Sequence, residues 1–284
     1  MFLNINGGAL FVREEGPQNG LPVIFIHGFP LSQKMWDPQI KALKKTNRVI
    51  AYDVRGHGQS DRGDGLYTIE GHVDDLVSLM DYLKIQKAVI VGFSMGGYIA
   101  QRFIERNPER VLALGLFDTK SGADNNEGRL KRFLALKDIR LNGLAPFAET
   151  SILSLFSEKT LHEKQEIVDV VFNMIMNSPQ HGVMGTLLCL ASRYDLTLAL
   201  SGIKVPTLLL VGEHDVITPP DSMQEMAQSI KGCEIHIVPE AGHMSNLENP
   251  VFVNEALLRF LGGLIDSAKE TLAVAAPGKE MDLF

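Results

Sequence analysis

The sequence predicts an α/β protein, a mostly parallel sheet interleaved with helices and interrupted by one purely helical block. Three observations predict it. Short β-branched runs alternate with longer segments of helical period up to Phe117 and again after Lys204. Between Asp118 and Lys204 the helical pattern continues without a strand, so this block cannot extend the sheet. At Val91-Gly92-Phe93-Ser94-Met95-Gly96-Gly97 an apolar run gives way to a helical one through glycines that flank a single serine.

Each element follows from local pattern. Ile5, Leu10 and Val12 suggest an opening hairpin turned by Gly7-Gly8. Strands are expected at Val23–Ile26, Arg48–Tyr52, Ala88–Val91, Val111–Phe117, Thr207–Val211 and Glu234–Val238. Helices are expected between them at Trp36–Leu43, Ile69–Leu83, Tyr98–Arg106, Ser222–Ser229 and Val251–Leu261. The intervening block offers helices at Arg129–Leu141, Leu161–Met176 and Val183–Ala191, starting in the polar stretch Lys120 to Asn126 and ending before Val205-Pro206. From Gly262 onward, small residues with Pro and Gly predict a frayed or loosely docked end.

Composition narrows the function classes. At 284 residues and 45% hydrophobic, the chain can fill a sizeable core in one large α/β domain or two small ones. A net charge of -7 argues against nucleic acid or an anionic membrane as partner, because both demand a basic surface. The N-terminus has no basic leader before a long apolar stretch, and no window reaches the roughly 18 apolar residues of a membrane span. A soluble, cytoplasmic protein acting on a small molecule is therefore expected. Cys189 and Cys233 lack a C-x-x-C spacing and read as buried free thiols. No histidine pair has zincin spacing, so neither metal nor cofactor is assigned.

The chemistry starts at Ser94. Small residues two before and two after it let a strand turn into a helix, lifting the hydroxyl from the sheet edge and leaving the Met95 N–H at a helix N-terminus. Such a serine needs a base, and the base an orienting acid. Two later loops offer them: Gly212-Glu213-His214-Asp215 after one strand, and Pro239-Glu240-Ala241-Gly242-His243 after the next. The chain order Ser94, Asp215, His243 separates this arrangement from other serine-hydrolase orders. Glu213 and Asp118 compete with Asp215 for the role of acid, and Asp215 is favoured by its place in the loop. A second oxyanion donor is expected from Ile26-His27-Gly28-Phe29-Pro30, where Phe29 offers its N–H beside a glycine that permits close approach. His27 reads as a residue that hydrogen-bonds nearby backbone, His57 as part of a tight turn, and His214 and His236 as structural.

On these residues the chain resembles the α/β-hydrolase-fold serine hydrolases over nearly its whole length. The matching strings are His27-Gly28-Phe29-Pro30, Asp53 to Ser60, Gly92 to Gly97, Gly212 to Asp215 and Gly242-His243. Within that superfamily it is most similar to the esterase and lactonase branch of 3-oxoadipate enol-lactonases, carboxylesterases and cofactor-free haloperoxidases or perhydrolases. The resemblance implies an eight-stranded, mostly parallel sheet with helices on both faces and an inserted helical lid. It implies a core of residues 1–118 and 205–264, a lid of 119–204 and a tail of 265–284. It also implies hydrolysis of a small ester or lactone through an acyl-enzyme on Ser94, with Asp215 and His243 completing a triad and Phe29 and Met95 supplying the oxyanion hole.

Departures are informative. Haloalkane dehalogenases and epoxide hydrolases of this fold carry Asp where this chain has Ser94, which excludes those activities. Meta-cleavage C–C hydrolases typically carry Trp where Met244 stands, which ranks that alternative lower. Pro30 after Phe29 resembles the perhydrolases, so peroxide use stays open as a side activity, as does a receptor-like member with little turnover. The arginines of the helical block, Arg129, Arg132, Arg140 and Arg193, would recognise a carboxylate if the substrate were an enol-lactone acid; surface solvation is their commoner fate.

Overall fold

The computed structural model describes residues 1–275, with side chains through Leu264. The strands are β1 (Phe2–Ile5), β2 (Gly8–Glu15), β3 (Leu21–Ile26), β4 (Asn47–Tyr52), β5 (Ala88–Phe93), β6 (Val111–Phe117), β7 (Thr207–Gly212) and β8 (Glu234–Val238). They form one sheet in the order β1-β2-β4-β3-β5-β6-β7-β8. β1 with β2 and β2 with β4 are antiparallel, and every later pairing is parallel.

Helices α1 (Asp37–Leu43), α2 (Ile69–Tyr82) and α3 (Met95–Arg106) make the first three crossovers. The block after β6 holds α4 (Asn126–Asn142), α5 (Leu144–Leu155), α6 (Glu158–Glu163), α7 (Gln165–Met176) and α8 (Gln180–Ala191). Helix α9 (Pro220–Ser229) joins β7 to β8, and α10 (Ser245–Glu248) and α11 (Pro250–Ala275) follow β8.

The strand pleat sends alternate residues to opposite faces, and the two faces carry separate cores. Ile24, Ile26 and Ile90 pack with Val73 and Leu76 of α2, Phe103 of α3 and Met223 of α9. Val23, Phe25 and Val91 pack with Ile40 of α1 and with Val253 and Leu257 of α11. Strands buried on both faces read as continuous apolar runs, which is why β3, β5 and β7 were legible. Each such side chain contributes roughly 1.5–3 kcal/mol on burial.

Besides the short helix α10, which was not anticipated, the structure departs from the sequence reading in three places. Helix α5 was not anticipated, because Pro146 in its first turn reads as a breaker, yet Pro is tolerated where the N–H has no intrahelical partner. The expected helix Leu161–Met176 is two helices, broken at Lys164, whose φ of -131° and ψ of 54° leave the helical region while its Nζ donates to the Glu248 carbonyl at 2.6 Å. The last helix continues through Gly262 and Gly263 to Ala275, where a frayed end was expected; the rest of that segment lies outside the described residues. No helix among the described residues is long and apolar enough to cross a membrane.

The helical block is tied to the loops at the sheet edge. Ser178 Oγ donates to the Pro30 carbonyl at 2.9 Å, and the Met244 N–H donates to the Leu155 carbonyl at 2.9 Å. Buried Glu248 accepts from the Ser157 N–H at 2.9 Å and hydroxyl at 2.8 Å, and from the Gly242 N–H at 2.9 Å. One carboxylate thereby joins the block to the loop that carries His243.

Candidate active site

Ser94 sits between β5 and α3 with φ 49° and ψ -112°, a conformation that L-residues rarely adopt and that costs about 1–3 kcal/mol. Its neighbours explain how the strain is held. A Cβ on Gly92 would strike the Gly96 carbonyl, and one on Gly96 would strike the Ile26 carbonyl, so strand and helix approach at van der Waals contact only because both are glycine. The Ser94 N–H donates to the Phe117 carbonyl at 2.9 Å and its carbonyl accepts from Thr119 Oγ1 at 2.8 Å. Strong local pinning leaves the hydroxyl at the C-terminal edge of the sheet, where an open parallel sheet presents its loops.

Two loops from distant sequence meet it there. His243 Nε2 lies 3.0 Å from Ser94 Oγ, and His243 Nδ1 lies 2.7 Å from Asp215 Oδ2. Asp215 is buried and accepts three further donors: Thr218 Oγ1 at 2.6 Å and the N–H groups of Ile217 and Thr218 at 2.8 and 2.9 Å. Burial works to raise its pKa, but His243 and the Thr218 donors outweigh burial and hold the carboxyl below its ordinary range. An ionised Asp215 accepts the Nδ1–H of neutral His243, which leaves Nε2 as the acceptor facing Ser94.

The two rival acids are placed differently. Glu213 is half-exposed and accepts the Glu240 N–H at 3.0 Å, and among the described residues it has no hydrogen bond to His243. Asp118 is fully buried behind the site, accepting the Gly212 N–H at 2.9 Å and contacting Ser245 Oγ. Burial and the neighbouring Asp215 push the Asp118 carboxyl well above its ordinary range. Asp118, Asp215 and His243 bring ligand-type atoms within 4.8 Å of one another, but hydrogen bonds already account for each of the three.

On the opposite side of Ser94 runs the loop after β3. His27 is fully buried; its Nε2 accepts the Val54 N–H at 2.9 Å, so Nδ1 carries the proton and donates to the Gly28 carbonyl at 2.8 Å. Burial pushes the His27 pKa down to about 4, keeping it neutral. Because that carbonyl is turned toward His27 and the Leu31 N–H, the Phe29 N–H of the same planar peptide points the other way, and among the described residues it has no acceptor. Gly28 passes so near the serine that a Cβ there would lie 3.3 Å from Ser94 Cβ and 2.6 Å from the edge of the Phe93 ring. The Met95 N–H is the first of α3, ahead of the helix's own hydrogen-bond ladder.

Ser94 opens on a cavity of about 160 Å³. Phe29, Pro30, Met95 and His243 line its sheet side; Arg132 of α4 and Phe147, Ser151 and Leu155 of α5 line the helical side. Three larger surface cavities, about 420, 800 and 560 Å³, contain none of these groups.

All five residues singled out from sequence thus converge on one cleft. Sequence reasoning did not identify Thr218, Ser245 or Tyr98. Thr218 had a usable signal, three residues beyond Asp215 in a turn whose N–H groups would need an acceptor.

Comparison with known proteins agrees with the architecture. A family model described as the alpha/beta hydrolase fold matches residues 22–250. The chain is 29% identical to the 3-oxoadipate enol-lactonase 1 of Acinetobacter baylyi over 94% of its own length and 97% of the relative's. A thermophilic esterase from Thermogutta terrifontis, solved with malate bound, superposes with a TM-score of 0.89 at 34% identity, covering 93% of this chain and 98% of that one. The enol-lactonase from Burkholderia xenovorans superposes with a TM-score of 0.87 at 28% identity, covering 92% and 100%. By its sheet order, its strained serine turn and the match of its sequence over residues 22–250, the chain belongs to the α/β-hydrolase fold family.

Proposed function

We propose that this protein is a serine hydrolase that cleaves a small carboxylic ester or lactone through an acyl-enzyme on Ser94. The observation that carries the reading is the continuous contact from Ser94 Oγ to His243 Nε2 at 3.0 Å and from His243 Nδ1 to Asp215 Oδ2 at 2.7 Å. The esterase and enol-lactonase relatives support the choice of ester and lactone carbonyls over other acyl groups.

The steps follow from the geometry. Ser94 Oγ attacks the carbonyl carbon while its proton passes to His243 Nε2. Asp215 stabilises the imidazolium and fixes its orientation. The carbonyl oxygen becomes an oxyanion between the Phe29 and Met95 N–H groups, each donor being worth about 2.7–4 kcal/mol in the transition state. His243 then protonates the leaving alkoxide, and water repeats the sequence on the acyl-enzyme, with His243 as its base. Helices α4 to α8 act as the lid that covers Ser94, and a cavity of about 160 Å³ suits a short acyl group.

Ser94→Ala is expected to lower kcat on a short-chain p-nitrophenyl ester by about 10⁴-fold or more. Turnover near the wild-type value would sink the assignment. Labelling of Ser94 by a fluorophosphonate without multiple turnovers of any ester would instead favour a ligand-binding member of the fold.

A further inference from the structure

We infer that the substrate carries a carboxylate, and that Arg132 receives it. Among the described residues lining the cavity at Ser94, Arg132 is the one with a permanent charge; its neighbours are apolar or hydroxylic, apart from His243. No carboxylate shares the cavity with it.

The charge around Arg132 is left short of anions. Arg132 gives only its Nε to Asp124, and among the described residues its two Nη groups have no hydrogen-bond partner. The same buried Asp124 serves two more cations, with Arg193 Nη2 at 3.2 Å and Lys120 Nζ at 3.6 Å. Three cations therefore share one buried carboxylate. Arg193 is only 5% exposed, its Nε has no partner, and its guanidinium stacks on the Tyr98 ring at 4.0 Å. Tyr98 in turn lines the cavity beside Ser94. The next acid, Asp195, is exposed, accepts the Thr197 N–H and acts on Arg193 through space without a close ion pair. Arg193 is buried while the Arg132 and Lys120 side chains keep 22% and 33% exposure, and a cation cluster with so few close counter-ions favours an anion, which a carboxylate on the bound molecule would supply.

Geometry favours an anion of this shape. The two free Nη groups of a guanidinium form a planar fork that matches both oxygens of a carboxylate. The other arginines of the block contrast with it: Arg129 and Arg140 are exposed and do not line the cavity. A short ester or lactone with its carboxylate a few bonds from the scissile carbonyl would bridge Ser94 and Arg132.

This inference rests on the hydrolase reading, and the experiment separates the two. kcat/KM is measured by pH-stat for two matched pairs: monomethyl glutarate against methyl valerate, and 4-acetoxybutanoate against butyl acetate. In at least one pair the anionic ester should be preferred by about 10-fold or more. That ratio should fall close to one in Arg132→Gln and take an intermediate value in Arg132→Lys, which keeps the charge but loses the fork. Ser94-dependent hydrolysis of the neutral esters with no anionic preference in either pair would overturn the carboxylate inference and leave the hydrolase reading intact. If no ester is hydrolysed, the hydrolase reading fails, and calorimetry of glutarate with the Ser94→Ala protein decides the inference. Binding that Arg132→Gln abolishes would uphold it; no binding would overturn it.

Discussion

Replacing Asp215 with Asn keeps the shape of the side chain and reverses the logic of its hydrogen bond. The carboxylate accepts from His243 Nδ1 at 2.7 Å while its other oxygen is occupied by the Ile217 and Thr218 N–H groups. Those two backbone donors hold the amide oxygen, so the Asn NH₂ faces His243 and forces Nδ1 to become the acceptor. Nε2 then carries the proton and faces Ser94 Oγ as a donor, unable to take the hydroxyl proton. A loss of about 10⁴-fold in kcat is expected, ~5.5 kcal/mol in the barrier. Asp118→Asn is the matched control. Burial and Asp215 push the Asp118 carboxyl well above its ordinary range, and among the described residues it makes no hydrogen bond to His243. An Asn amide can keep its two contacts, its oxygen accepting the Gly212 N–H and its NH₂ donating to Ser245 Oγ. Less than about tenfold loss is expected there, since both neighbours of the buried side chain keep a partner and the His243 contact is untouched. Both variants are compared at pH 8 on p-nitrophenyl butyrate, with melting followed by circular dichroism. Equal losses, or a greater loss in Asp118→Asn, would refute the choice of acid.

The other predictions concern stability and support of the site. His27, His57 and His72 are fully buried, and burial pushes their pKa values from 6.5 down to about 4, 3 and 3. The unfolded chain therefore binds protons below pH 6.5 that the folded chain refuses, so stability falls as pH falls from 6.5 toward 4. At pH 5 the loss is ~2 kcal/mol per histidine, ~6 in all. Urea midpoints unchanged between pH 7.5 and 5 would contradict this. Thr218→Val removes the 2.6 Å donor to Asp215 Oδ2 and leaves that buried carboxylate oxygen with His243 Nδ1 as its remaining partner, a loss of about 1–3 kcal/mol that Thr218→Ser should largely restore; a Ser variant no better than Val points to packing instead. Gly92→Ala drives a methyl into the Gly96 carbonyl and to 2.7 Å from the Gly97 nitrogen, and a denaturation midpoint equal to wild type would show that the turn has more room than described; destabilisation above about 2 kcal/mol is expected.

Legibility followed the range of the interaction. The turn at Ser94 depends on Gly92 and Gly96, two positions away on either side, so five residues specify it. Strands buried on both faces announce themselves as apolar runs, and β3, β5, β6 and β7 were read within one or two residues of their ends. Helix α5 was lost because Pro146 in its first turn resembles a breaker, and the division of α6 from α7 because the backbone leaves the helical region at Lys164 with no proline or glycine there to announce it. In both places local signals compete and the packed structure decides between them.

What the sequence determined by itself was a set of local backbone constraints and their order: a strained serine turn, a donor-bearing glycine loop, then an acid loop and a histidine loop. What only the tertiary structure decided was which side chains share a boundary. It placed Asp215 and not Glu213 against His243, set Asp118 behind them, and turned Arg132 rather than Arg129 or Arg140 into the cavity. The physical reason is that backbone geometry is fixed within a few residues by sterics, whereas charge, desolvation and reach depend on surfaces that meet only after the sheet and the helical block have packed.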